Sequence, residues 1–306
     1  MSVFVVGAAG IDSKGIAHTP LVHGASNPGM IQSSFGGVAR NIAENLARLS
    51  IPTTFITAIG TDASGESIAS HCTQLGIDLS YSQRCPQHRT GRYISLANPD
   101  GDLAYAVSDY DIMHQLDDKY LMQQAAFLQN ADYIIFDLNL DVPSIEVLLE
   151  IATAHHIPTL CNSTSPLRAG KLKPLLPQLH TLIANRGEAN ILSGVTVTDV
   201  RSAQQAARAI VQQGCDIAIV TLGEHGIVYA TADQTNHVPT TPCPVLDANG
   251  ASDALTAGLL LGLRDGASLP NALQLGMMAA QRTIASPLTC DPTLTRSDLY
   301  AMATLL

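Results

Sequence analysis

The chain has 306 residues, 46% hydrophobic and 14% charged, which supplies a sizeable core and argues against disorder. Its net charge is −10 and its 16 Lys and Arg form no cluster, which argues against tracking a nucleic-acid backbone. The six cysteines (Cys72, Cys85, Cys161, Cys215, Cys243, Cys290) lack CxxC spacing and any histidine at metal-ligand spacing, so free thiols in a reducing cytoplasm are expected. The opening MSVFVVGAAGID has no basic segment and reaches Asp12 too early for a secretory leader. No apolar run reaches membrane-spanning length, since LTAGLLLGL stops at Arg264 and Asp265. The expectation is a soluble cytoplasmic protein with neither nucleic-acid nor membrane partners.

In chain order, SVFVVGAAGID predicts a short strand ending in glycines and an aspartate. Residues 13–35 lose periodicity and carry Pro20, Gly24, Asn27, Pro28 and Gly29, so they read as loop or short exposed strands. Val38, Ile42, Leu46 and Leu49 then recur on one face of a helix over 37–49, entered through Gly36-Gly37. TTFITAIG predicts the next strand and ESIASHCTQLG the next helix. RTGRYISLANPDGDLAYAV alternates about an NPDGD turn, which predicts a small antiparallel flap outside any parallel sheet.

Strands and helices then alternate. YIIFDLNL precedes a helix at 143–155, PTLCNS leads to HTLIANRGEANIL, and a helix at 199–213 leads to DIAIVTLG and a hairpin-like GIVYATAD. Near-continuous apolar strands separated by helices predict a doubly wound, mostly parallel α/β sheet covered on both faces. The expected organisation is a single domain over 1–306 with a β lid from about 13–35 and 88–108.

Sites in such sheets lie where loops leave the carboxyl ends of strands. The polar residues there are Asp12, Asn139, Asn162, Asn185, Thr221 to Gly223, and Asp247 to Asp253. Neither GxxxxGK[ST] nor GxGxxG occurs. A helix N-terminus can still hold an anion, and Gly250, Ala251 and Ser252 would present three successive amides there. Asp253 falls beside that position, where a carboxylate repels an anion unless it takes a proton from an attacking hydroxyl. A first-turn aspartate is also what the helix dipole favours by itself. Asp12, Gly36, Gly37 and Asn41 could converge at the same edge to hold vicinal hydroxyls, although Asp12 and Asn41 equally suit a turn and a helix start.

Taken together, GGVARNIAENLARL, NRGE at 185–188, TLGEHG at 221–226 and DANGASD at 247–253 resemble the ribokinase-like (PfkB) family of sugar and nucleoside kinases over the whole chain. DANGASD resembles the family's D-T-x-G-A-G-D stretch. The resemblance implies Asp253 as general base, with the amides of Gly250, Ala251 and Ser252 as anion hole. Asn185 and Glu188 match N-x-x-E, which implies Mg²⁺ and ATP phosphates organised through water. Thr221, Gly223 and Gly226 match the nucleotide-binding strand end, and Asp12, Gly37 and Asn41 the sugar positions. Asp247 matches a monovalent-cation position, with K⁺ the candidate ion.

Ser252 departs from the family glycine before the catalytic aspartate. A helical φ there would cost a serine little, whereas a positive φ would put phosphoryl transfer in doubt.

Within the family, SNPGMIQSSFGGVARNIAENLARL and RTGRYISLANPDGDLAYAVSDYDI are similar to pseudouridine kinases, which implies transfer to the 5′-hydroxyl of a C-nucleoside. Other acceptors (ribose, a hexose, adenosine or inosine) and a non-catalytic nucleoside binder remain open. Asn27, Thr90 and Asn139 are candidate substrate contacts, each equally suited to a turn or surface role. An exposed lid sheet also invites pairing with a second lid, so a homodimer is expected.

Overall fold

The computed structural model describes residues 2–303. Its central sheet contains β1 (Val3–Val6), β4 (Thr53–Ile56), β9 (Tyr133–Asp137), β10 (Thr159–Asn162), β11 (Thr181–Asn185), β12 (Ile217–Thr221), β13 (Ile227–Ala230) and β14 (Thr235–Val238). The strand order is β14-β13-β12-β11-β10-β9-β1-β4. The strands from β12 across to β4 are parallel, and β13 and β14 close one edge antiparallel.

The parallel strands are apolar throughout because both faces are covered. Phe4, Val6, Ile134 and Phe136 point into one core, while Val3, Val5, Tyr133 and Ile135 point into the other. The first core is completed by Ile145 and Leu148 of α5 (Val142–Ala154), Leu192 of α7 (Arg186–Ser193) and Ile210 of α8 (Val200–Gln212). The second takes Ile42 and Leu46 of α1 (Val38–Arg48), Ile68 of α2 (Ala63–Gln74), Leu259 of α9 (Ala251–Arg264) and Leu273 of α10 (Leu269–Ile284). Short helices α3 (Asp118–Gln123), α4 (Ala125–Leu128) and α6 (Pro166–Ala169) fill connections, and α11 (Arg296–Ala303) follows α10.

Two glycines of α9 let α10 approach to backbone contact. A Cβ on Gly258 would lie 2.7 Å from the Leu275 carbonyl oxygen, and one on Gly262 2.6 Å from the Ala272 Cα. The small residues of LTAGLLLGL therefore serve close helix packing as well as the helix mouth.

A second sheet of four strands stands over one end of the first, ordered β3 (Gly29–Gly36), β2 (Gly10–Ala17), β7 (Gly91–Ala97) and β8 (Leu103–Asp109). This corrects two expectations. Residues 10–36 form two strands of eight residues each, paired over their whole length and overlapping the 13–35 stretch, where loop or short exposed strands were expected. The 91–109 hairpin is antiparallel within itself, but β7 joins β2 in parallel register, Asp12 opposite Tyr93. Turn residues at 20–29 disguised the pair, because they belong to the connection and not to the strands. TTFITAIG also breaks in two: Thr57 donates its amide to Ser82 Oγ at 3.1 Å, and β5 (Ala58–Gly60) turns away to pair with β6 (Gln83–Cys85).

Strand alternation gives the lid two unlike faces. Asp12, Lys14, Gln32, Ser34, Tyr93 and Ser95 share the inner one and line a cavity of about 290 Å³. Ile31, Ile94, Leu96, Tyr105 and Val107 share the outer one, all exposed.

Candidate active site

The turn into α9 is built on Gly250, whose φ of 80° lies in the left-handed region. A Cβ there would sit 1.9 Å from the Thr289 carbonyl oxygen, so glycine is required by space as well as by backbone conformation. Ser252 has an ordinary helical backbone: among described residues only Ser50 and His156 are non-glycine with positive φ. The condition set by its departure from the family glycine is thus met. The amides of Gly250 and Ser252 find no acceptor among the described residues, while that of Ala251 makes only a 3.4 Å contact to the Ala248 carbonyl. Amides left open at a helix start, with the dipole behind them, suit an anion.

Asp253 is 5% exposed. Two amides grip its carboxylate: Asn41 Nδ2 donates to Oδ2 at 2.8 Å, and Asn162 Nδ2 donates to Oδ1 at 3.2 Å. Burial pushes its pKa up to about 7, against the pull of the Asn41 hydrogen bond and the Arg40 guanidinium, and Asp137 and Asp12 add repulsion. A carboxylate poised near neutrality can take a proton at the pH of the cell.

Asp12 lies on the lid strand β2, where Gly36 makes room for it; a Cβ on Gly36 would fall 2.1 Å from Asp12 Oδ1. Burial raises the Asp12 pKa to about 6, with Arg40 and a hydrogen bond from Tyr110 pulling the other way. Gly37 (φ 95°) brings the start of α1 against the Ala8 carbonyl and supplies no side-chain cap. The cap comes from Asp137 at the end of β9, whose Oδ2 accepts from Ala39 N at 3.1 Å and Ala8 N at 2.9 Å. Its Oδ1 accepts from Asn139 N at 2.8 Å. Asp137 is fully buried and its pKa is raised by that burial, opposed by these amides. It ties the end of β1 and the start of α1 to the end of β9.

At the next strand ends, Asn185 and Thr221 are register partners on β11 and β12. Asn185 caps α7 in a reciprocal box with Glu188. Glu188 Oε2 accepts from Asn185 N and Ser163 Oγ, each at 2.7 Å, and Oε1 accepts from Asn185 Nδ2 at 2.9 Å. Burial raises its pKa, and these three donors lower it. With most of its lone pairs engaged, Glu188 fits a metal-bound water better than direct ligation. Among the described residues, no group of three or more His, Cys, Asp or Glu is arranged to hold a metal ion. Gly223 and Gly226, both at positive φ, make the tight turn after Thr221, closed by Leu222 N donating to the Gly226 carbonyl at 2.8 Å.

Several expected residues have other work. Asn27 spends its side chain on its own loop, accepting from Val22 N at 2.8 Å and donating to the Val22 and Ala25 carbonyls. Thr90 is locked to the cap of α2, donating from Oγ1 to Asp62 Oδ1 at 2.6 Å and accepting from Gly60 N at 3.0 Å. Neither points a free group at Asp253. Asn139 is buried against Asp137. Asp247 is ion-paired with Lys14 of the lid, Nζ to Oδ2 at 3.0 Å.

Sequence reasoning passed over Asp137 and Arg40. Arg40 is 1% exposed and donates to the Phe35 and Gly36 carbonyls of β3, to Glu44, and to Asn41 Oδ1. A lone basic residue on a periodic helix carries no signal of such burial.

The family described as pfkB family carbohydrate kinase matches residues 2–296. The chain is 28% identical over 301 residues to a pseudouridine kinase of Escherichia coli (strain K12), covering 98% of this chain and 96% of that one. It is 30% identical over 288 residues to a guanosine-inosine kinase of Exiguobacterium acetylicum, covering 93% and 94%. A structure of Arabidopsis thaliana ribokinase complexed with ribose and ATP has the same fold, with a TM-score of 0.84 at 20% identity over 98% of each chain.

Proposed function

Because this chain belongs to the pfkB family of carbohydrate kinases, we propose that it transfers the γ-phosphoryl group of ATP to the 5′-hydroxyl of pseudouridine. The observation that carries a kinase reading is the buried Asp253, poised at about 7 beside the open amides of Gly250 and Ser252. The similarity to a pseudouridine kinase supports the acceptor. So does the inner lid face, where Lys14, Gln32, Ser34 and Ser95 offer hydrogen bonds to the polar edges of a base. The guanosine-inosine kinase relative keeps a purine nucleoside as the second reading.

Asp12 accepts from the vicinal hydroxyls of the sugar, and the lid excludes the water that would compete with the acceptor. Asp253 removes the 5′-hydroxyl proton as the oxygen attacks phosphorus in line. The amides at the start of α9 hold the charge of the phosphoryl group in transfer. Asn185 and Glu188 would hold Mg²⁺, which would supply charge neutralisation on the donor phosphates. Thr221, Gly223 and Gly226 border the nucleotide. The reaction is assigned to the cytoplasm, where ATP is available.

Two further points belong to this reading. The exposed apolar outer face of the lid supports a homodimer formed lid to lid, which sedimentation of the purified protein tests. A K⁺ requirement would have Asp247 serve the ion while Lys14 already holds its carboxylate, and assay with K⁺ omitted tests that.

The deciding experiment is an acceptor panel with ATP, scored by ADP release: pseudouridine, uridine, inosine and ribose. A pseudouridine rate no better than that of uridine or ribose would overturn the acceptor. Asp253→Asn should lower kcat by roughly 10²–10⁴-fold, the worth of a positioned general base. Near-full turnover in that variant would remove Asp253 from the role.

A further inference from the structure

Asn162 can serve Asp253 only if its amide is turned the right way. Reversed, its oxygen would face the carboxylate and repel it. The surrounding hydrogen bonds fix the rotation. Thr256 Oγ1 donates its single proton to the Ser252 carbonyl at 2.8 Å, so toward Asn162 it can only accept. Asn162 Nδ2, 3.3 Å from Thr256 Oγ1 and 3.2 Å from Asp253 Oδ1, must therefore be the side facing both. That leaves Oδ1 pointing to Ser252, whose hydroxyl donates to it at 3.3 Å. Asn162 is buried, and this hydroxyl is the partner that its oxygen has.

We propose that the Ser252 hydroxyl is a positioning group for the reaction: it locks the Asn162 amide so that the amide holds the Asp253 carboxylate ionised and in place. The residue that departs from the family glycine thereby acquires work for its side chain, while its backbone keeps the helical start intact. Asn41 is the counterpart on the other carboxylate oxygen. Arg40 donates to its Oδ1 and, having only donors, fixes that amide in the same sense. The base is held between two amides, each oriented from behind.

The inference rests on Asp253 being the base, and the test separates the two. Ser252→Ala keeps the backbone amide and removes only the hydroxyl. It should lower kcat about 3–10-fold, the worth of one moderate hydrogen bond, with the acceptor KM changed less than kcat. Loss of the Asn162 donation disfavours the ionised base, so the acid limb of kcat should move to higher pH by roughly half a pH unit. The charged and titratable groups around that base are Arg40 on α1, Asp12 on β2, Asp137 on β9 and Cys290 in the loop after α10, and Ser252→Ala changes none of them. Ser252→Thr, which restores a hydroxyl, should recover most of the rate.

The decisive comparison is a double-mutant cycle. If Ser252 works through Asn162, Ser252→Ala should cost nothing further in an Asn162→Ala background. Full additivity of the two losses would overturn the proposal, as would an unshifted acid limb in Ser252→Ala. High turnover in Asp253→Asn would instead strike the base assignment itself. A lower melting temperature of Ser252→Ala, with kcat and the acid limb unchanged, would reduce the serine to a structural role and also overturn it.

Discussion

The stability of an Asp253→Asn variant relative to the parent should increase as the pH rises. The carboxylate's pKa is pushed from 3.8 to about 7 in the folded protein, chiefly by burial. A group raised in this way contributes all its stability below its unfolded pKa and loses it as the pH climbs through the folded one. At about 1.4 kcal/mol per pH unit, ionising Asp253 costs the fold about 4 kcal/mol at pH 8 and somewhat under 2 kcal/mol at pH 5. Asparagine carries no such cost. It does leave one of the two gripping amides mismatched, but that penalty is independent of pH and cancels when two pH values are compared.

The advantage of Asn over Asp should therefore grow by about 3 kcal/mol between pH 5 and pH 8. With an unfolding entropy of about 0.6 kcal/mol/K for 306 residues, that is about 5 °C in Tm. Thermal unfolding of both proteins, without substrate, at the two pH values measures it. A Tm difference that stays constant or shrinks toward pH 8 would refute the reasoning, because the carboxylate would then be solvated or already compensated.

Gly250→Ala should cut kcat by about 10²-fold or more by displacing the amides at the start of α9, the usual loss for one oxyanion donor; steady-state kinetics reads it, and the Cβ clash with Thr289 should also lower Tm. Glu188→Gln sets an amide NH₂ among three donors, so the Mg²⁺ concentration for half-maximal rate should rise roughly 10–100-fold in a metal titration. Thr90→Val should cost about 1–3 kcal/mol of stability by leaving Gly60 N without its acceptor, measured in urea, while the acceptor KM stays close to that of the parent.

The parallel sheet was legible because its strands are apolar on both sides, and α1 and α9 because their starts carry small residues ahead of a periodic face. The same local signals brought Asp253 and Asn41 forward, and the family resemblance brought forward the N-x-x-E box. Residues whose partners lie far along the chain stayed hidden. Asp137 ends an ordinary buried strand, and two of its amide donors come from positions 98 and 129 residues earlier. Arg40 looks like a helix-surface charge until β3 folds over it. Thr90 and Asn27 stand in turn-rich, lid-flanking text that suits a ligand contact, and only the Asp62 and Val22 contacts show how each is used. The Ser252 question was posed by sequence and answered by a dihedral angle.

The lid is stitched from two hairpins that are each local in sequence, β2 with β3 and β7 with β8. The seam between them is not local: the β2–β3 hairpin and β7 are separated by α1, β4, β5, α2 and β6, none of which belongs to the lid sheet. Closing that seam requires the intervening chain to be ordered first, since the loop entropy of so distant a pairing is offset only by contacts already made. The lid sheet therefore depends on the body for its central pairing and cannot be moved to another protein as a single cassette. Its two halves inherit separate tethers to the body and are joined by a parallel seam that runs from Gly10 opposite Gly91 to Ile16 opposite Ala97.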